Sequence, residues 1–418
     1  MMAGLKRFLW LWLPPLAIVL IGLWRAWLTG QADPWDWGLP MALLLAGAGL
    51  LLARRGPAIL TWVGMGGVGM ALLFCTVAAG RAPDGMAALG LLAVALLAVF
   101  GGATLRHSLF ASSEGEKPGA NTSRLRSKRT GLGMIFLVLA ALLLWRGPAQ
   151  PLQPVPDRPR LAVITGLPLF WNEAGPQDAP IVKLLRTRFT VIPIDDPVQL
   201  RASGARRLLL AQPRALTPAQ LVAIDKWVGA GGTALVLADP LLRWPSDLPL
   251  GDRRRAPSTS LLGALLDHWG VAPPGVVDQA EIRHFLPDGP LITLSGAGRS
   301  GDAVMQRKRI GKGAVLLLGD ADPLDDRLWL ADPVYSLDPR HWVADTPALV
   351  VQWLGGASIP GDRRWMREAQ DVTRAIRWAL LAGTIWAIVG AIRLRLERRG
   401  PAPGTKGEDG GAKDNNSS

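Results

Sequence analysis

The chain has 418 residues, of which 49% are hydrophobic, and its mean hydropathy of +0.23 is higher than that of an ordinary soluble protein. Its single cysteine, Cys75, excludes an internal disulfide and a zinc site built from cysteines. The formal net charge of +13 is unevenly spread, since residues 1–149 carry a net +8, residues 150–372 +1 and residues 373–418 +4. Because nucleic-acid binding needs a basic patch on a folded domain, the neutral middle indicates no nucleic-acid partner.

Six apolar runs have the length and composition of transmembrane helices. Four lie within residues 1–105, a fifth covers 131–145 and a sixth covers 375–393. About 20 apolar residues in a helix span the hydrocarbon core of a bilayer, and tryptophans near the ends of several runs are typical of the headgroup level. The first run, 8–24, lacks a small-residue cleavage site, so we expect a helix that is retained rather than a signal peptide. The sequence therefore predicts a multi-pass α-helical protein embedded in the lipid bilayer.

Lysine and arginine cluster on one side of the predicted helices. The basic residues of that side are Lys6, Arg7, Arg54, Arg55, Arg124, Arg126, Lys128, Arg129, Arg393, Arg395, Arg398 and Arg399. The short loops of the other side keep one each, Arg25 and Arg81. Because cytoplasmic loops are enriched in lysine and arginine, we expect both termini in the cytoplasm. The large segment between helices five and six then lies outside, which for a bacterial inner membrane is the periplasm.

The polar parts of the chain fall into four segments. Residues 106–130 are predicted to form a basic cytoplasmic loop, and residues 394–418 a disordered cytoplasmic tail. Residues 146–160 are a proline-rich stalk that is expected to hold the following domain off the membrane. Residues 161–360 are assigned to a periplasmic α/β domain. We expect 147–372 to fold alone, with the helices acting as tethers rather than as packing partners.

Strands and helices alternate within the predicted α/β domain. Strands are predicted at 161–165, 190–194, 207–211, 234–238 and 314–318, and helices at 179–189, 218–228, 260–269 and 347–354. The second of these helices begins with Thr217, Pro218 and Gln220, the residues of a capping box with proline at the first helical position. Because such an alternation of apolar strands and helices builds parallel sheets, we expect a parallel sheet covered on both faces.

Three aspartates follow two of the predicted strands. Asp239 ends one strand, and Asp320 and Asp322 end another. Ligands of open α/β sheets bind outside the carboxyl ends of the strands, so if these two strands are neighbours, the three carboxylates converge on one crevice. They would there bind a cation, a sugar or a basic group of a partner. The alternative is that each aspartate caps a turn or a helix.

Other motifs in the chain indicate no chemistry. Residues 296–301 match GxGxxG, but strand-like residues follow where a dinucleotide site needs a helix, so a hairpin turn is predicted. The four histidines lack metal-ligand spacing, and the chain has neither a P-loop nor a GxSxG nucleophile elbow. We therefore expect no cofactor, no metal site and no catalytic residues, and hence no enzymatic activity.

Residues 215–240, ALTPAQLVAIDKWVGAGGTALVLADP, resemble the GldG-like auxiliary proteins of ABC transporters and the related uncharacterised ABC-transport-associated domain. Residues 311–322, GKGAVLLLGDAD, and the helix at 345–354 extend the resemblance to roughly 160–355. It implies a flavodoxin- or amidotransferase-like fold without catalytic residues, a binding or assembly role, and ABC permease and ATPase subunits as partners. The chain departs from the GldG arrangement in having five helices before the domain.

These observations favour a non-enzymatic accessory subunit of an ABC-type transport or envelope assembly in the inner membrane. Its periplasmic domain would bind a ligand or a partner, with Asp239, Asp320 and Asp322 as candidate binding residues. One alternative is a membrane-anchored hydrolase that uses the aspartate-lined crevice. Another is a transporter whose N-terminal helices carry the substrate, although no charged residue lies inside the five N-terminal apolar runs.

Overall fold

The computed structural model describes residues 2–109, 120–172, 175–249, 251–271, 281–287, 289–295 and 305–397. These residues form a group of long apolar helices and an α/β domain. The GxGxxG motif at 296–301 and the tail from residue 398 onward lie outside the described residues.

Six long helices form what we call the helical bundle. They are α1 (Met2–Thr29), α2 (Gly38–Leu52), α3 (Pro57–Ala79), α4 (Gly85–Leu109), α5 (Ala120–Arg146) and α10 (Ala369–Glu397). By length and composition, each contributes a segment apolar enough to cross a membrane. Two glycines bring α2 and α4 together: a Cβ atom on Gly49 would lie 2.1 Å from the Val99 carbonyl oxygen, and one on Gly102 would lie 2.0 Å from that of Ala46. The two backbones therefore touch, as small residues allow between membrane helices.

Four helices of the bundle, α1, α4, α5 and α10, are longer than the sequence predicts, and residues 106–109 of the predicted loop belong to α4. Residues 120–130, which were expected in a loop, form the first three turns of α5, and α10 extends beyond 375–393 at both ends, so 394–397 belong to a helix rather than to the tail. The prediction used the length of each apolar run, which gives the part of a helix inside the membrane but not where the helix begins or ends. Arginine and lysine are good helix formers, so a helix continues past the apolar segment where nothing stops it.

The α/β domain is built on a six-stranded sheet with the order β4-β1-β5-β6-β10-β9. Its strands are β1 (Arg160–Thr165), β4 (Thr190–Pro193), β5 (Arg207–Ala211), β6 (Thr233–Leu237), β9 (Met305–Ile310) and β10 (Gly313–Leu318). The first five in this order are parallel, and their sequence order corresponds to the 2-1-3-4-5 arrangement of flavodoxin-like sheets. β9 is antiparallel to β10, because the tight turn at Gly311 joins them directly, so the sheet is not parallel throughout.

Helices cover both faces of the sheet, which confirms the predicted layers. α6 (Pro180–Arg188) and α9 (Thr346–Trp353) pack on one face, and α7 (Pro218–Gly229) and α8 (Gly263–Trp269) pack on the other. Alternate residues of β1 enter the two cores, since Leu161 and Val163 face the first pair of helices while Ala162 and Ile164 face the second.

Local signals in the sequence are realised in the structure. α7 begins with the predicted capping box, in which the Gln220 backbone N–H donates to the Thr217 hydroxyl and the Thr217 N–H donates to the Gln220 side chain. Two short hairpins complete the domain. They are β2 (Trp171–Asn172) with β3 (Gly175–Pro176), and β7 (Ile282–Phe285) with β8 (Leu291–Leu294).

The α/β domain packs directly on the ends of three bundle helices. Just after α1, the Ala32 N–H donates to the Arg364 carbonyl at 2.6 Å, and the Met366 N–H donates to the Gly30 carbonyl at 2.8 Å. The Arg367 N–H, just before α10, donates to the Ala78 carbonyl in the last turn of α3 at 3.0 Å. We call this contact between bundle and domain the junction.

One buried glutamine connects the two parts of the junction. The Gln31 side chain is 4% exposed, and its amide donates to the carbonyl oxygens of Pro339 at 2.9 Å and Trp342 at 2.8 Å. At a second point, the Arg81 guanidinium pairs with the Asp362 carboxylate at 2.6 Å. The expectation that the helices are only tethers is therefore wrong, because the junction carries backbone pairing and buried polar contacts that composition cannot reveal.

The proline-rich stalk lies on the domain rather than projecting from it. Leu152 is buried in the domain core, and its N–H donates to the Leu337 carbonyl at 2.7 Å. Further along, the Val155 N–H donates to the Thr187 carbonyl at 2.9 Å. The stalk thus satisfies these backbone groups by pairing with the domain, and it does not hold the domain away from the bundle.

Candidate functional site

The three predicted aspartates converge at the carboxyl edge of the sheet. β6 and β10 are neighbours, so Asp239, Asp320 and Asp322 follow adjacent parallel strands. Each has a carboxylate oxygen within 4.8 Å of the others, and the three residues are 0%, 1% and 2% exposed. We call this group the aspartate cluster. The structure therefore confirms the geometry that the sequence analysis made conditional on neighbouring strands.

Backbone N–H groups surround the aspartate cluster. Asp239 accepts from Leu241 at 2.7 Å and from Ala321 at 3.0 Å. Asp320 accepts from Ser295 at 2.5 Å and from the N–H of Asp322 at 2.9 Å. Every carboxylate oxygen of these two residues thus has a backbone donor, as expected for residues that cap turns.

Asp322 bonds to the loop after β6, at a residue that lies 79 positions earlier in the sequence. Both of its carboxylate oxygens accept the Arg243 N–H, at 3.1 and 2.9 Å. Asp239 fixes Leu241 in the same loop. The two alternatives of the sequence analysis are thus compatible, because the aspartates converge and each also caps backbone. What the cluster does in this geometry is to position the segment that follows β6.

The electrostatics of the aspartate cluster follow from its burial. Burial raises the pKa of Asp239, and burial together with the nearby Asp239 charge raises the pKa of Asp320 well above its usual range. Burial raises the pKa of Asp322 to about 7. Three adjacent carboxylates cannot all ionise cheaply in a buried site, so the cluster retains protons near neutral pH. Carboxylate oxygens are also ligands for hard divalent cations, and each oxygen of Asp239 and Asp320 accepts one backbone N–H and keeps a second lone pair.

A cleft of about 640 Å³ opens at the same edge of the sheet. Its walls come from the segment after β1, which includes the β2–β3 hairpin, from the segment after β6, and from residues after β10. The segment after β1 lies at the point where the strand order reverses, the usual binding position in flavodoxin-like sheets. The volume falls within the range of pockets for small ligands. We call this cavity the edge cleft.

Two indoles and several charged side chains line the edge cleft. Trp171 and Trp244 contribute aromatic surface, and Lys183, Asp247 and Asp326 contribute charge. Burial raises the pKa of the Asp326 carboxyl group. The cleft therefore combines apolar faces with a few placed polar groups, which is the composition of sites that bind small molecules or side chains.

The sequence analysis missed the cleft residues and found only the aspartates beneath them. Trp171 and Trp244 lie in connecting segments that carry no periodic pattern, so nothing in the element predictions singled them out. Their signal was positional: each follows a buried strand, β1 or β6, at the edge where ligands bind. Trp244 also packs partly against the domain core, which fixes its ring.

Two solved structures are similar to this chain at low identity and low TM-score. The β-galactosidase from Bacillus circulans sp. alkalophilus is 12% identical, with a TM-score of 0.25 over 47% of this chain and 32% of that chain. Gan42B, a GH42 β-galactosidase, is 11% identical, with a TM-score of 0.28 over 67% of this chain and 42% of that chain. The chain spans less than half the length of either protein. Among curated proteins, no sequence matches at a significant level.

The α/β domain has a family match. Residues 158–278 match the model of the family ABC_transp_aux, described as an ABC-type uncharacterized transport system. The match includes the 215–240 segment on which the resemblance was based, and it confirms that resemblance. Residues 158–278 of this chain are thus similar to the ABC_transp_aux family of ABC-type transport systems.

Proposed function

We propose that the chain is a non-enzymatic accessory subunit of an ABC-type transporter in a bacterial inner membrane, related to GldG-like proteins. Both termini lie in the cytoplasm, and the α/β domain lies in the periplasm, where the edge cleft receives a ligand or a group of a partner. ABC permease and ATPase subunits are its partners. The family match supports the accessory role, and the six apolar helices support membrane insertion.

The observation that carries the proposed topology is the position of the junction. The domain contacts the C-terminal ends of α1 and α3 and the N-terminal end of α10. If every helix of the bundle crosses the membrane, these three helix ends lie on the same side of the membrane. The contacts between bundle and domain among the described residues fit a single outer surface of this kind.

Basic residues at the opposite end of the bundle support the same orientation. Arg54 and Arg55 follow α2 directly. The Arg106 guanidinium donates to the Leu50 carbonyl at 2.7 Å, and the Arg393 guanidinium lies 4.8 Å from the centre of the Trp62 ring. These cations gather at the end remote from the α/β domain. Cytoplasmic loops carry such an excess of lysine and arginine.

The aspartate cluster supports a binding role over a hydrolytic one. A general acid or base must reach the substrate, whereas these carboxylates are at most 2% exposed and accept backbone N–H groups. The strand end at 238–240 reads Ala-Asp-Pro and offers no cysteine or serine nucleophile. In this proposal the cluster shapes the edge cleft and takes no part in a reaction.

Co-purification tests the accessory role. The full chain with an affinity tag would be extracted from cross-linked native membranes, and we expect an ABC permease and its ATPase among the products. The variant Gln31→Ala, which loosens the junction, should recover less of both subunits than the matched variant Gln150→Ala. Recovery of the chain without any ABC subunit, or a hydrolytic activity of the purified chain that Asp239→Asn abolishes, would contradict the proposal.

A further inference from the structure

Basic residues gather at the amino edge of the sheet, opposite the edge that carries the aspartate cluster and the edge cleft. The described segments that border the amino edge are 155–160, 201–207, 225–233, 267–271 and 305–313. Together they contain ten lysines and arginines but only three aspartates and no glutamate. Because residues 150–372 as a whole carry a net charge of only +1, the positive charge of the domain is concentrated at this edge.

Five of these cations form what we call the basic face. They are Arg160 at the start of β1, Arg206 and Arg207 at the start of β5, Lys226 in the last turn of α7, and Lys312 in the turn before β10. β1, β5, β6 and β10 are consecutive strands of the sheet, so the basic face spans about 14 Å at the usual spacing between strands.

The backbone beneath the basic face is held by hydrogen bonds between its segments. The Thr233 N–H donates to the Arg206 carbonyl at 3.0 Å. The Lys312 N–H donates at 3.0 Å to the carbonyl of Gly229, the last residue of α7. The positions from which these cations project are therefore fixed before a partner binds, which lowers the entropic cost of binding.

Within the described part of the chain, no carboxylate pairs with the basic face. The side chains of Arg206, Lys226 and Lys312 are exposed and form neither a hydrogen bond nor an ion pair with any described residue. Arg160 and Arg207 donate to backbone carbonyl oxygens at 3.0 and 3.2 Å, which leaves their positive charge uncompensated.

The three aspartates of the bordering segments do not balance this charge. The Asp225 carboxylate accepts the Trp269 indole N–H at 2.9 Å. Asp157 and Asp267 are exposed and form no ion pair with a described residue. The amino edge therefore keeps a net positive charge among the residues that the structure describes.

Helix ends account for only part of the basic face. A cation in the last turn of a helix stabilises the negative end of the helix dipole, which accounts for Lys226 in α7 and for Arg207 beside the end of α9. Arg160, Arg206 and Lys312 lie at the starts of strands and in a turn. Their charges therefore exceed what the helix ends require.

The basic face points away from the bundle. α9 begins at the junction, where Arg363 and Trp365 donate to the Asp345 carboxylate, and it ends beside Arg207, which donates to the Gly355 carbonyl. The eight residues of α9 span about 12 Å. Because the screening length at physiological ionic strength is about 8 Å, the basic face acts little on the headgroups of the membrane that holds the bundle.

We propose that the basic face docks a carboxylate-rich segment of a partner protein. Its cations are spread along the starts of strands that lie about 4.8 Å apart, whereas the donors around a single phosphate group converge on one point. An acidic segment carries separate carboxylates along its length and so matches this spread. Complementary charge of this kind speeds association and fixes the orientation of the partner. The basic face lies at the edge opposite the edge cleft, so the inference is independent of what that cleft binds.

A fluorescently labelled acetyl-hexaglutamate amide is the probe, because in the extended form it spans about 20 Å and covers the basic face. Its fluorescence anisotropy would be measured on the full chain in an uncharged detergent. We expect saturable binding at about 0.1 M salt and much weaker binding at about 1 M, where the screening length falls to about 3 Å. Acetyl-hexaglutamine amide has no charge and should bind at least about tenfold more weakly.

Paired variants separate the basic face from the net charge of the chain. The double variant Arg206→Gln with Lys312→Gln should weaken hexaglutamate binding by about tenfold, because it removes two exposed cations from the face. The matched double variant Lys183→Gln with Arg253→Gln lowers the net charge equally, at exposed positions near the carboxyl edge, and should leave the affinity unchanged. Arg206→Lys with Lys312→Arg keeps both charges and should bind as the unmodified chain does.

Equal weakening in the two Gln double variants would show that only net charge matters and would overturn the proposal. Equal affinity for hexaglutamine and hexaglutamate, or no saturable binding of hexaglutamate, would do the same. Tripolyphosphate that competes more tightly than unlabelled hexaglutamate would assign the face to a phosphate polymer instead. These measurements involve no ABC subunit, so their failure is distinct from a failure of the co-purification that tests the accessory role.

Discussion

At the scale of single residues, Asp322 shows how one side chain serves structure and electrostatics together. It accepts the Arg243 N–H with both oxygens while lying beside Asp239 and Asp320 in a buried site. A carboxylate in this position stabilises a loop but is itself costly to ionise. The free energy of unfolding of the domain therefore depends on whether Asp322 is protonated.

The aspartate cluster makes the domain less stable as pH rises. Burial raises the pKa of folded Asp322 to about 7, from 3.8 in the unfolded chain, so the folded protein binds a proton that the unfolded chain has lost. This stabilisation is fully present below about pH 4 and is lost as pH rises through about 7. The raised pKa values of Asp239 and Asp320 act in the same direction. The melting temperature of the full chain in detergent should therefore fall between pH 5 and pH 8.

Substitution separates this effect from other titrations. In Asp322→Asn the fall between pH 5 and pH 8 should be smaller, because one titrating group is removed. Asp252→Asn is the control: Arg254 lowers the pKa of Asp252 to about 2, outside the pH window, so the fall should match that of the unmodified chain. An unchanged pH dependence in Asp322→Asn would show that the cluster does not titrate as described.

At the scale of elements, the sequence predicts those helices and strands whose bounds are set by residues close together in the chain. The capping box of α7 and the apolar strands β1, β5 and β10 were predicted close to their observed bounds, because caps and apolar runs act over a few residues. The antiparallel β9, the packing of the stalk and the tryptophans of the edge cleft were not. Each of these depends on contacts between residues far apart in the chain, which periodicity does not encode.

The junction is the element-scale feature with the clearest energetic prediction. Gln31→Ala leaves the carbonyl oxygens of Pro339 and Trp342 buried without their donor, which should destabilise the full chain by about 1–3 kcal/mol. Gln150→Ala is matched, since the Gln150 amide also donates to two carbonyls, those of Trp145 and Pro148, but at an exposed position. It should change stability by less than about 0.5 kcal/mol.

Thermal unfolding in detergent measures this difference, and limited proteolysis locates it. Cleavage within 339–342 should become faster in Gln31→Ala and remain slow in Gln150→Ala. If both variants unfold alike, Gln31 does not hold the junction, and the backbone pairs of Ala32, Met366 and Arg367 carry it instead.

At the scale of the whole molecule, the bundle and the α/β domain form one structure joined at three helix ends. Trp365 belongs to the core of the domain, and the next residue, Met366, belongs to the core of the bundle. No flexible spacer separates the two at this point. In the proposed function, a change at the edge cleft therefore reaches the helices through packed contacts rather than through a loose linker.

The orientation of this structure in the membrane is the central claim, and fusions to alkaline phosphatase test it most directly, because that enzyme is active only outside the cytoplasm. A fusion after Leu250, in the α/β domain, should be active, whereas fusions after Gly119 and Gly400 should be inactive. The expectation follows from the basic residues at the far end of the bundle and the single surface on which the domain contacts the helices. Activity after Gly119 or Gly400, or its absence after Leu250, would contradict the account.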